Sequence, residues 1–198
     1  MCRGLPGAEN LRSVDASEHY VWDGKETDEH AITVCSAACT APSAVRFSRF
    51  VNIPAFDLSQ RPPRSVRARL GGHALLPRML DKCRAELTGR QGGFHYACPN
   101  DQRILQFLGI DAEALKAEVA KGAGDGAILE WIRANQRNRH TPAEIEAWSE
   151  SMDRRRPTAE DQSKFDKYLA ECGPARTDIT CWPDLLDLDD FVSYGGRA

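Results

Sequence analysis

The chain has 198 residues, of which 41% are hydrophobic and 28% charged, with 26 Lys and Arg against 29 Asp and Glu. That balance is ordinary for a soluble globular protein, and no apolar run approaches the roughly 18–20 residues of a membrane span. The N-terminus lacks a basic start followed by an apolar core, so no membrane association and no secretory signal are expected.

Seven cysteines are scattered without the spacing of a disulfide framework, which suggests reduced thiols in a cytoplasm. Charge is distributed unevenly. Residues 54–110 carry nine Lys and Arg against four Asp and Glu, whereas residues 111–198 carry twelve against eighteen. Two oppositely charged halves of one domain most simply face each other.

Residues 1–53 show no sustained period of 3.6 or 2, and small polar residues dominate, as in Ser36-Ala37-Ala38-Cys39-Thr40. Such a segment buries too little apolar surface to offset its ordering entropy, so disorder is expected. His30, Cys35 and Cys39 are only three ligand types where structural zinc needs four, so no metal site is assigned. Organised sequence starts near Ile53, and no methionine stands between Met1 and Met79. A native start at or near Val51 is therefore expected, with residues 1–53 a non-native extension and 54–198 the domain.

Residues 57–69 read as an extended basic arm. Pro62 and Pro63 exclude a helix interior, and Arg61, Arg64, Arg67 and Arg69 supply the charge. Without interleaved aromatic residues for base stacking, nucleic acid is an unlikely partner, and packing over the acidic half is the simpler role. After the Gly71-Gly72 hinge, Leu76, Met79, Leu80, Cys83 and Leu87 fall on one face of a helix. Pro77 places its start at Leu75 or Leu76, and Gly89 suits its left-handed stop. Arg78, Asp81, Lys82 and Ala85 lie on the other side and read as a solvated charged face.

Phe94 to Cys98 is a short extended piece, the one place where strand alternation is conceivable. Asn100 is expected to cap a helix over 101–108 that ends at Gly109. Asp111 caps the next, to about Lys121, and Asp125 opens another, to about Gln136. Thr141-Pro142-Ala143-Glu144 is the clearest start signal in the chain, a capping box with proline at the first helical position. Its buried stripe should be Ile145, Trp148 and Met152. Thr158 is expected to cap a helix with Phe165, Tyr168, Leu169 and Cys172 inside, stopped by Gly173-Pro174. Trp182 to Phe191 alternates large apolar groups with carboxylates and reads as a short helix with a docked tail. The fold class is all-α: a single compact domain of several short helices, with an extended basic N-terminal arm and a docked C-terminal tail.

From Pro54 onward the sequence resembles a bacterial family, domain of unknown function 5069. The resemblance rests on Arg61-Pro62-Pro63-Arg64-Ser65, Leu70-Gly71-Gly72, Leu76-Pro77-Arg78-Met79-Leu80-Asp81-Lys82 and Arg84-Ala85. Phe94-His95-Tyr96, Cys98-Pro99, Asp101-Gln102-Arg103 and Trp182 to Gly196 also carry it. It implies a soluble domain and supplies neither an activity nor a cofactor. Residues 1–53 fall outside the pattern, in keeping with the expected start.

Two functional readings follow. The first is a module binding an anionic small molecule or a protein through Arg78, Lys82, His95 and Arg103, near the hinge. The second is a small enzyme using Asp81, His95 or Cys98, since a thiolate needs a neighbouring base or cation. No nucleotide fingerprint, calcium-loop spacing or zinc spacing is present, so no cofactor or metal is expected.

Overall fold

Each helical signal is bounded by a cap, a proline or a glycine, and seven α-helices result among the described residues. The computed structural model describes residues 52–197. The expectations for the first 51 residues, among them the disorder, the start near Val51 and the His30, Cys35 and Cys39 set, lie outside the described residues. In chain order the helices are α1 (Leu76–Leu87), α2 (Pro99–Leu108), α3 (Ala112–Val119), α4 (Asp125–Asn135), α5 (Pro142–Asp153), α6 (Gln162–Cys172) and α7 (Trp182–Ser193). Among the described residues there is no strand, only an isolated bridge between Leu70 and His73. Phe94 to Cys98 is a turn-rich connection, with Ala97 at a positive φ of 57°.

α1 is the axis of the fold. Leu76, Met79, Leu80 and Cys83 are fully buried and meet Ile104, Leu108, Leu115, Val119, Ile128 and Ile132 in the main core. A second core holds the α6–α7 pair together through Phe165, Cys172, Trp182, Leu185 and Leu188. Phe165 meets Trp182 edge to face at 5.2 Å.

The other side of α1 departs from expectation. Arg78, Asp81, Lys82, Arg84 and Ala85 are all buried, so this helix is enclosed all round from Leu76 to Ala85. Periodicity marks which residues are apolar; it does not reveal whether a charged face meets water or a complementary charged surface.

Local signals set most boundaries. Thr141 and Glu144 form the reciprocal capping box of α5, and the Asp111 carboxylate accepts the Ala114 amide at the start of α3. Gly109 takes the left-handed conformation after α2, with a φ of 64°. α2 starts two residues earlier than expected, capped by Cys98, because Pro99 fits the first helical turn. Thr158 lies before α6, whose cap is Asp161; Thr158 donates its Oγ1 hydrogen to that carboxylate. On α5 the expected stripe of Ile145, Trp148 and Met152 is only half-buried, and the residue fully inside is Ser149. Its hydroxyl accepts the Ala74 amide at 3.0 Å and donates to the Gly72 carbonyl at 2.9 Å, pinning the hinge to α5.

Candidate functional site

Each buried charge of α1 has its opposite supplied by another element. Arg78 donates to Asp190 of α7 through two nitrogens, at 2.5 and 3.0 Å, and also to the Arg64 carbonyl. Asp81 accepts the Arg64 amide at 3.0 Å and its guanidinium at 2.8 and 2.7 Å. Arg84 donates to Asp125 at 2.6 Å, and Arg64 reaches the other oxygen of the same carboxylate at 2.6 Å. Arg64 is thus a hub joining the arm, α1 and α4. Burial opposes its charge, yet Asp81 and Asp125 hold its pKa above the ordinary arginine value. Burial likewise pushes Asp125 up, and the bonds from Arg64 and Arg84 outweigh it and keep the carboxyl low.

Further along the arm, Arg67 donates to Asp184 at 2.7 Å and Asp187 at 3.2 Å, and Arg69 pairs with Asp153. The basic stretch therefore lies against the chain's own carboxylates. At Asp190 the balance differs: burial raises the carboxyl above its usual value despite Arg78. Taking such a pair out of water costs energy that offsets much of the attraction between its charges.

Lys82 has a separate partner set. Its Nζ donates to Asp101 Oδ1 at 2.7 Å and to Cys98 Sγ at 3.1 Å. Asp101 is 1% exposed, and its Oδ2 has no hydrogen-bond partner. Burial is the largest influence on this carboxyl and raises it, against the charge and hydrogen bond of Lys82.

The sequence-derived residues consequently separate. Arg78 and Lys82 are buried in ion pairs with Asp190 and Asp101. Asp81 is saturated by Arg64. His95 is exposed and near Glu86, whose carboxyl is held low chiefly by the hydrogen bond from Lys116. Arg103 is exposed on α2, close to Arg155. Only Lys82 and Cys98 come within hydrogen-bond distance of each other. Among the described residues, no group of three or more His, Cys, Asp and Glu side chains could hold a metal ion.

An open cleft of about 830 Å³ lies at the glycine hinge. Gly71, Gly72 and His73 form one side, and Arg133 of α4 and Gln136 just after it another. The lining continues through His140 and Ile145 to the carboxylates of Glu146, Glu150 and Asp153 and the guanidiniums of Arg69 and Arg154. Gly71 is required there: its φ is +58°, and an added Cβ would sit 2.7 Å from the Leu129 methyls. His140 stacks on Phe107 at 3.8 Å, and Phe107 stacks on Trp148 at 4.5 Å. His73 meets Phe107 edge-on. The ring is 3% exposed; its Nδ1 lies 3.2 Å from the Leu70 carbonyl, and its Nε2 has no partner. Burial lowers the His73 pKa, and the nearby charges of Arg133 and His140 lower it further.

Sequence reasoning singled out the hinge but assigned none of His73, Arg133 and His140 to a site. Their sequence signals were faint: a histidine directly after the glycine pair, and another directly before the capping box. The grouping exists only because α4 and α5 converge on the hinge.

No curated protein matches the chain. Among the described residues, no helix is long and apolar enough to cross a membrane. A family described as "Domain of unknown function (DUF5069)" matches residues 60–192, about two-thirds of the sequence and all seven helices except the last residue of α7. The matched span holds the ion network, the Lys82–Cys98–Asp101 group and the hinge cleft together, and the chain belongs to this family.

Proposed function

We propose that this domain is a binding module for a small molecule bearing an anionic group, received in the cleft beside Gly71 and Gly72. The observation that carries the reading is the convergence of His73, His140 and Arg133 on one cleft of small-molecule size. Burial is the main influence that keeps His73 from charging. The cleft sets the guanidiniums of Arg69, Arg133 and Arg154 beside the carboxylates of Glu146, Glu150 and Asp153, so an anion would be received at Arg133, on the histidine side. Arg133 is available to such a ligand. Its present partner, Glu130, is three residues away on the same helix, and both side chains are more than half exposed. Pairs of that kind contribute only about 0.2–0.5 kcal/mol. Arg78 and Lys82 serve this module as scaffold, because recruiting either would strand a buried carboxylate.

A small ligand is favoured over a protein partner by the surface. Among the described residues, the large exposed hydrophobics are Phe56 and Phe191, and Arg61 lies 4.1 Å above the Phe56 ring. Cys83, Cys98, Cys172 and Cys181 are free thiols, which supports a reducing, cytoplasmic setting.

Thermal-shift titration with inorganic phosphate, citrate and adenosine monophosphate tests the reading. At least one should raise the Tm of the wild type, and Arg133→Ala combined with His140→Ala should abolish the rise. A rise that survives both substitutions, or no rise with any of the three, would overturn it.

A further inference from the structure

We infer that Cys98 is an oxidation site for hydroperoxides, built by Lys82 and Asp101 at the first turn of α2. The four described cysteines are chemically unequal. Cys83, Cys172 and Cys181 are 0%, 5% and 7% exposed, and burial pushes the first up to about 12 and raises the other two. Cys98 alone among them is partly open to solvent. Its sulfur lies 3.1 Å from the Lys82 ammonium, and the residue occupies the N-cap position of a ten-residue helix, with no hydrogen bond from its side chain to the first-turn amides. A sulfur beside a cation at a helix N-terminus reacts as a nucleophile, whereas a buried one without such help is inert.

Asp101 supplies the second element. One oxygen holds Lys82 in place at 2.7 Å; the other is buried with no hydrogen-bond partner, and the Cys98 backbone amide lies close to the same carboxyl. An unpartnered buried acceptor is costly unless something completes it. The hydroxyl of a sulfenic acid on Cys98 is such a donor. The step balances. The sulfur lone pair attacks one oxygen of the hydroperoxide, an S–O bond forms, and the O–O bond breaks. Sulfur loses two electrons, which leave with the departing hydroxide or alkoxide, and the thiol proton ends on that group as water or alcohol. The product S–OH then donates to Asp101 Oδ2, while Lys82 stays on Oδ1.

The test uses the full chain, hydrogen peroxide, and a dimedone-type trap for sulfenic acid, read cysteine by cysteine by peptide mass spectrometry. Trapping at Cys98 should be at least about tenfold faster than at Cys83, Cys172 or Cys181. Lys82→Met should slow it by about tenfold or more, and Lys82→Arg should preserve it to within roughly threefold. Equal trapping at all four, or undiminished trapping in a folded Lys82→Met variant, would overturn the inference. If Lys82→Met does not fold, Asp101→Asn, which keeps the side-chain volume, decides: a loss of trapped adduct supports the site, and wild-type trapping overturns it.

Discussion

The two charged regions of this domain use the same residue types to opposite ends. Around α1, Arg78, Asp81, Lys82 and Arg84 are buried, and every one has an opposite charge delivered by a different element. Around the hinge cleft, Arg69 and Asp153 join the arm to α5, but Arg133 pairs with Glu130 and Arg154 with Glu150 only three and four residues apart, with these last four side chains substantially exposed. The first set ties together the arm, α1, α2, α4 and α7. The two local pairs tie no elements together and can be rearranged cheaply. A dense charge cluster in a sequence is therefore ambiguous until its partners are known. Where the partners come from distant elements it is framework, and where they are local it is surface that a ligand can claim.

The sharpest way to break this comparison is to orphan a buried carboxylate. Lys82→Met leaves Asp101 charged and unpaired, as Arg78→Met does for Asp190, and each should cost about 3–5 kcal/mol in urea denaturation. Replacing both members, Lys82→Met with Asp101→Leu, should recover most of the loss, because a well-packed apolar pair often equals a buried ion pair.

The pH dependence has a defined sign. Burial raises the Asp101 carboxyl in the folded state. Its protonated form is thus favoured by folding, and this contribution is present below the unfolded value and lost as pH rises through the folded one. The deficit of Lys82→Met should accordingly shrink as pH is lowered, read as the gap between variant and wild-type stability. His73 works in the other direction. Its folded pKa is depressed, so its contribution is present above the unfolded value near 6.5 and falls as pH drops below it. His73→Phe, which suits the aromatic surroundings, should flatten the wild-type loss of Tm between about pH 7 and pH 5.

Smaller effects belong to the hinge and the surface. Gly71→Ala forces a side chain into positive φ and against Leu129, and about 1–3 kcal/mol of stability should be lost in chemical denaturation. Arg154→Ala removes an exposed pair with Glu150, and thermal denaturation should show a change within about 0.5 kcal/mol.

The helices were legible in the sequence because their signals are local. Thr141 and Glu144 cap α5, Asp111 caps α3, and Leu76, Met79, Leu80 and Cys83 form the apolar face of α1 through spacing alone. The family was legible in the blocks around Arg61, Leu76 and Asp101. The burial of Arg78 and Lys82 was not. It depends on Asp190, 112 residues from Arg78, and on Asp101, 19 residues from Lys82, and nothing local announces either meeting. Ser149 was hidden for the same reason: its hydroxyl serves backbone groups of the hinge 75 and 77 residues away. The hinge itself was visible as Gly71-Gly72, but the residues that make it a cleft come from α4 and the approach to α5.

The division of labour between the two regions is most directly tested by one ligand-induced Tm measurement made on two variants. With whichever of phosphate, citrate or adenosine monophosphate stabilises the wild type, the Lys82→Met, Asp101→Leu double variant should show an undiminished rise, and the Arg133→Ala, His140→Ala double variant none. The reverse pattern, with the rise lost on changing Lys82 and Asp101 and kept on changing Arg133 and His140, would contradict the account.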